Sequence, residues 1–110
     1  MPTVYELHAE ICKMFSNPKR LEIIDQLKEG ERTVSELVKL TGLTQPALSQ
    51  HLSVMWQNGI LSRRKEGVNV YYDLTNPQIS EAFNILRKIL LERLSTSEKL
   101  AKEMTEAASP

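Results

Sequence analysis

The chain has one cysteine, Cys12, and two histidines, His8 and His51, among 110 residues. A single thiol excludes an intrachain disulfide framework. Two histidines far apart in the sequence, with one thiol, give no nucleophile–base set, so an enzyme is the weakest reading. An excess of either charge is missing too: 14 basic side chains balance 14 acidic ones. Backbone affinity for nucleic acid comes from phosphates neutralised by Lys and Arg, so this balance argues against a non-specific polyanion binder. It leaves room for a local basic patch. No charged-then-apolar signal segment opens the chain, and no apolar run approaches the roughly 18 residues of a membrane helix. The expectation is one small, soluble, cytoplasmic domain without membrane contact.

What the chain does have is concentrated in residues 42–61, GLTQPALSQHLSVMWQNGIL. Leu48, Leu52 and Met55 lie on one side of a helix. The opposite side carries Gln45, Ser49, Gln50, Ser53 and Gln57, all uncharged and all able to hydrogen-bond. A solvated helix usually presents paired Lys and Glu there. Amides and hydroxyls suit the edges of bases, where Gln can bond adenine bidentately and Ser can serve either partner. The blander alternative is a merely solvated face.

The flanking segments give this helix a setting. Thr3 can cap a first helix from about Val4 to Phe15, with Val4, Leu7, Ile11 and Met14 as one apolar stripe and Tyr5, His8, Cys12 and Phe15 as another. Asn17 and Pro18 open a second helix carrying Leu21, Ile24 and Leu27, which stops at Gly30. Thr33 and Glu36 form a capping box for a third, burying Val34, Leu37, Val38 and Leu40 and stopping at Gly42. Thr44 caps the next, with Pro46 in its first turn and Gly59 as terminator. Two helices separated by a few residues containing glycine form a helix-turn-helix.

After Gly59 the period changes. Residues 60–66 and 68–74 predict two strands around a turn at Glu66-Gly67, with Val70, Tyr72 and Leu74 facing the core and Asn69, Tyr71 and Asp73 facing water. Asn76-Pro77 then begins a long helix with Ile79, Phe83, Leu86, Leu90 and Leu94 at near-heptad spacing, flanked by Ala82, Ile85 and Ile89. An apolar face that wide exceeds what one small domain covers, which points to dimerisation. The expected architecture is mainly α with a β-hairpin wing (α+β): a winged helix-turn-helix in the order α-α-α-α-β-β-α. Residues 1–95 form the DNA-binding and dimerisation domain, and 96–110 form a polar extension expected to fray.

In that order and at those spacings, SNPKRLEII, TVSEL, QPALSQHL, NGIL and EGVNVYYDL resemble the ArsR (ArsR/SmtB) family of prokaryotic winged-helix repressors. The resemblance runs from about Phe15 to Leu74. It implies a homodimer joined through its first and last helices, bound to a pseudo-palindromic operator near its own promoter until an inducer acts. Expected interface residues are Val4, Leu7, His8, Ile11 and Cys12 with Phe83, Leu86, Ile89 and Leu90.

Within that frame Gln45, Ser49 and Gln50 are expected at base edges, with Thr44 and Ser53 nearer the phosphates and Pro46 on the same face. His51 falls toward the core side, and Trp56 at the border, packed against the wing rather than stacked on a base. Arg63, Arg64 and Lys65 are expected on the DNA backbone or in the minor groove; on a strand, Arg63 and Lys65 share one face and Arg64 takes the other. A charged, solubilising edge strand is the alternative there. Lys19 and Arg20 are weaker candidates for backbone contacts.

Many family members sense metals, but the positions that would ligate them do not match. Thr33 and Ser35 replace the cysteine pair of the third helix and bind soft metals poorly. Asn76, Gln78, Ile89 and Glu92 leave one plausible ligand on the last helix. His8 and Cys12, four residues apart, could supply two ligands that a dimer would double, though dimer packing is the better reading. No cofactor is expected. A different class of function, a winged-helix protein-interaction module without specific DNA binding, is kept open by the zero net charge and by a recognition helix lacking Lys and Arg.

Overall fold

The computed structural model describes residues 1–108, with side-chain surroundings to residue 106. The elements are α1 (Val4–Lys13), α2 (Pro18–Leu27), β1 (Arg32–Thr33), α3 (Val34–Thr41), α4 (Gln45–Gln57), β2 (Leu61–Glu66), β3 (Asn69–Leu74) and α5 (Pro77–Ala108). The first four helices begin at side-chain caps. The Thr3 hydroxyl accepts from the Glu6 N–H at 3.1 Å, and the Asn17 carbonyl from Lys19 at 2.9 Å. The Thr33–Glu36 box is reciprocal, and Thr44 accepts from Ala47 at 3.4 Å. Each cap satisfies amide donors that the first helical turn leaves unpaired. α3 ends at Gly42, whose φ of 71° is the left-handed conformation that a β-carbon disfavours.

The two wing strands are antiparallel, with Arg64 opposite Tyr71 and Lys65 opposite Val70. Gly67, at φ 60°, turns the chain between them. A third strand, β1, pairs Arg32 with Tyr72 and Thr33 with Tyr71, so the sheet order is β1-β3-β2. Two residues show no alternation, so only the capping role of Thr33 is legible in the sequence. It is both the second residue of β1 and the cap of α3.

One core gathers Ile23, Ile24 and Leu27 of α2, Leu37 of α3, and Leu48, Leu52 and Met55 of α4. Met14, Ile60, Leu61, Tyr72 and Phe83 complete it. Leu48, Leu52 and Met55 recur every three to four residues, so burying them fixes which face α4 turns outward.

Three expectations need correction. Leu40 is 46% exposed, because α3 turns Leu37 and Thr41 inward instead. The Thr41 hydroxyl resolves its own burial by donating to the Leu37 carbonyl at 2.7 Å. Phe83, expected at the interface, is 3% exposed and belongs to the protomer core. The start of α5 lies on α2, where Lys28 donates to Asn84 at 3.2 Å and sits 4.9 Å from the Phe83 ring. Finally, α5 passes through residue 95 without a break and continues to Ala108. Residues 95–108 are rich in Glu, Lys, Ala, Leu and Met, all good helix formers, with opposite charges four apart at Glu98/Lys102 and Lys102/Glu106. Residues 109 and 110 lie outside the described residues. Among the described residues no helix is long and apolar enough to cross a membrane.

Candidate nucleic-acid interface

The turn into α4 is tied to α3 by one side chain: the Thr41 hydroxyl also accepts from the Leu43 N–H at 3.3 Å. With its inner face seated in the core, α4 presents Gln45, Pro46, Ser49 and Gln50 to solvent, with Ser53 half-buried beside them. None of the side chains of Gln45, Ser49, Gln50 and Ser53 is hydrogen-bonded within the described residues. Their donors and acceptors are uncommitted, on a helix whose other side is buried in the core. Thr44 is exposed at the cap, its hydroxyl already engaged by Ala47.

His51 is half-buried, and its imidazole titrates below its ordinary value, first because of burial and second because of the Arg20 charge. Arg20 reaches the Lys13 carbonyl at 3.5 Å through Nη1, while its buried Nε has no partner. Lys19, the other weak candidate for backbone contact, is ion-paired with Glu22 at 3.0 Å. The Arg20–His51 proximity between α2 and α4 was not legible in either helix alone.

The wing divides its three cations between two faces. Arg63 lies on the side of Tyr72 and packs its guanidinium 3.8 Å from the centroid of the Trp56 ring. Trp56 thus contacts the wing, as its border position suggested. Lys65, on the same strand face, is exposed and has no ion pair among the described residues. Arg64 points the other way and is fully engaged. Its Nε and Nη2 donate to the two Glu31 oxygens at 2.9 and 2.5 Å, its Nη1 to Glu66 at 2.6 Å, and it lies 4.1 Å from the Tyr71 ring. Hydrogen bonding from Arg64 holds the Glu31 carboxyl below its usual range, and the two carboxylates push the guanidinium up in return. The run of three cations therefore offers two without an ion pair among the described residues, Arg63 and Lys65.

Among the helices, α1 buries none of its residues. Val4, Leu7 and Ile11 are exposed, as are Leu86, Ile89 and Leu90 of α5, and His8 and Cys12 sit among them. His8, Ile11, Cys12 and Phe15 line an apolar hollow of about 370 Å³ with Ala82 and Leu86. Cys12 is a free thiol there. No group of three or more His, Cys, Asp or Glu side chains gathers at a metal-binding spacing among the described residues.

A capped turn, a seated helix with an uncommitted polar face, and a hairpin projecting beyond it define a winged helix-turn-helix domain. The pattern of the bacterial regulatory proteins of the arsR family matches residues 17–63. The chain is 36% identical over 93 residues to the uncharacterized HTH-type transcriptional regulator Rv0081 of Mycobacterium tuberculosis, spanning 84% of this chain and 82% of that one. The crystal structure of Rv0081 superposes with a TM-score of 0.80 at 34% identity, covering 88% of this chain and 98% of the other. The biofilm growth-associated repressor of Xylella fastidiosa is 37% identical over 81 residues, 74% of this chain and 71% of that protein. A solution structure of the homodimeric winged helix-turn-helix DNA-binding domain of Mb0332 from Mycobacterium bovis matches with a TM-score of 0.77 at 27% identity, over 84% of this chain and 86% of that one. The chain belongs to the arsR family of bacterial regulatory proteins.

Proposed function

We propose that this protein is a homodimeric, sequence-specific DNA-binding transcription repressor of its own or a neighbouring operon, working in the cytoplasm on a pseudo-palindromic operator. α4 enters the major groove, the β2–β3 wing lies on the backbone or in the minor groove, and α1 and α5 join the protomers. It is a regulator and not an enzyme. The observation that carries the reading is the uncommitted face of Gln45, Ser49 and Gln50 on a helix whose other side is locked into the core. Two such helices related by a dimer axis imply half-sites about 10 bp, or about 34 Å, apart. No resident metal is proposed. His8 and Cys12 are assigned to dimer packing.

Fluorescence polarisation against a duplex from the protein's own upstream region tests this directly. Gln50→Ala is expected to weaken operator binding by about 1–3 kcal/mol and relax the base preference, while binding to random DNA changes little. Equal loss on both duplexes would remove Gln50 from base readout. The paired prediction concerns charge. Arg63→Ala or Lys65→Ala should weaken specific and random binding alike and flatten the slope of log K against log salt by about one unit for each phosphate no longer neutralised. Failure to bind any duplex at low salt would return the winged-helix protein-interaction reading.

A further inference from the structure

Arg64 is the most heavily engaged charged side chain among the described residues, and it takes no part in the proposed DNA face. It lies on the outer face of the sheet, on β2. Its partner Glu31 immediately precedes β1, at the far edge of a sheet ordered β1-β3-β2. To reach it the guanidinium crosses the middle strand over the Tyr71 ring, 4.1 Å away, and closes a two-bond fork on the carboxylate. A planar fork on a carboxylate fixes orientation as well as distance. The same side chain holds Glu66, the last residue of β2, at 2.6 Å. Without this crossing, only two residue pairs of β1 bind the hairpin laterally, Arg32 with Tyr72 and Thr33 with Tyr71. Thr33 is in turn the cap of α3, the first helix of the helix-turn-helix.

We infer that Glu31, Tyr71 and Arg64 form a strap across the sheet that sets the pose of the wing relative to the helix-turn-helix, with Arg64 acting as a positioning residue for Arg63 and Lys65 and not as a DNA contact. The inference rests on the DNA-binding reading for its consequence, though the strap itself can be measured without DNA. The opposite face supplies the reporter. Trp56 of α4 is the only tryptophan in the chain, and Arg63 of the wing covers one side of its ring. A wing that drifts uncovers it.

Simple electrostatics and the strap predict opposite signs. Glu31→Gln removes a negative charge near the wing and frees Arg64, so charge alone would strengthen binding to DNA and steepen its salt dependence. The strap predicts weaker operator binding, by up to about fivefold, the limit open to one well-formed exposed pair. The experiment uses the full chain with Glu31→Gln, Arg64→Gln, Arg64→Lys and the Glu31→Gln/Arg64→Gln double variant. Operator affinity is read at several salt concentrations, and acrylamide quenching of Trp56 is read without DNA. Expected are greater quenching and weaker binding in both glutamine single variants, partial recovery with Arg64→Lys, and no added effect of Glu31→Gln once Arg64 is gone. Tighter binding by Glu31→Gln with a steeper salt slope would make Arg64 a phosphate contact restrained by Glu31 and overturn the proposal. So would unchanged quenching, or greater quenching with unchanged affinity. If the parent protein binds no duplex, the DNA reading falls while the quenching series still decides whether the strap holds the wing.

Discussion

Leu86→Glu is expected to convert the dimer to a folded monomer and to weaken operator binding by about a hundredfold or more. Leu86 is 54% exposed in the protomer and contributes little to its core, so circular dichroism should be unchanged. In the proposed dimer the same position meets an apolar partner surface, and the symmetry places two unpaired carboxylates in one interface. Desolvating such a charge without a partner costs several kcal/mol, more than rim contacts can offset. Loss of the dimer separates the two recognition helices, and each half-site is then held by a single protomer. Sedimentation velocity gives the mass and polarisation gives the affinity. A variant that remains dimeric would place the interface away from the α1–α5 face.

The second large effect is on stability. Leu48→Ala should lower the free energy of unfolding by about 2–5 kcal/mol, because Leu48 is fully buried on the inner face of α4 and the core around it can close the gap only partly. In a domain of this size that corresponds to a melting temperature lower by roughly 10–20 °C. The comparison has to be made at fixed protein concentration, since dimerisation adds to the apparent stability. Leu40→Ala, at a leucine of α3 that is largely in solvent, serves as the control and should stay within about 0.5 kcal/mol of the parent. A Leu48 variant that melts with the control would mean α4 is not seated as described. Its outward face would then have no fixed orientation.

How far the sequence anticipated these features depends on whether the cause was local. The caps at Thr3, Asn17, Thr33 and Thr44 and the spacing of Leu48, Leu52 and Met55 are set within a few residues, and the helices stand where those signals put them. β1 was hidden because two residues carry no period. A stripe on α5 shows which side is apolar but not which neighbour covers each turn; α2 covers Phe83 and leaves Leu86 bare. Leu40 failed similarly, through the rotation of a short helix with apolar residues on several sides. Alternation along β2 correctly separated Arg64 from Arg63 and Lys65. The partner that engages Arg64, Glu31, is 33 residues away in the chain, and only the folded sheet brings the two together.

The uncovered face of α1 and α5 has a consequence for dosage. A protomer carries one α4, whereas an operator with two half-sites is filled by a pair. Where monomers predominate and the operator is far from saturated, occupancy of such an operator rises with the square of the copy number, so dilution by growth empties it faster than the protein itself is lost. Mass action alone then makes the regulator's occupancy respond more steeply than in proportion to its amount.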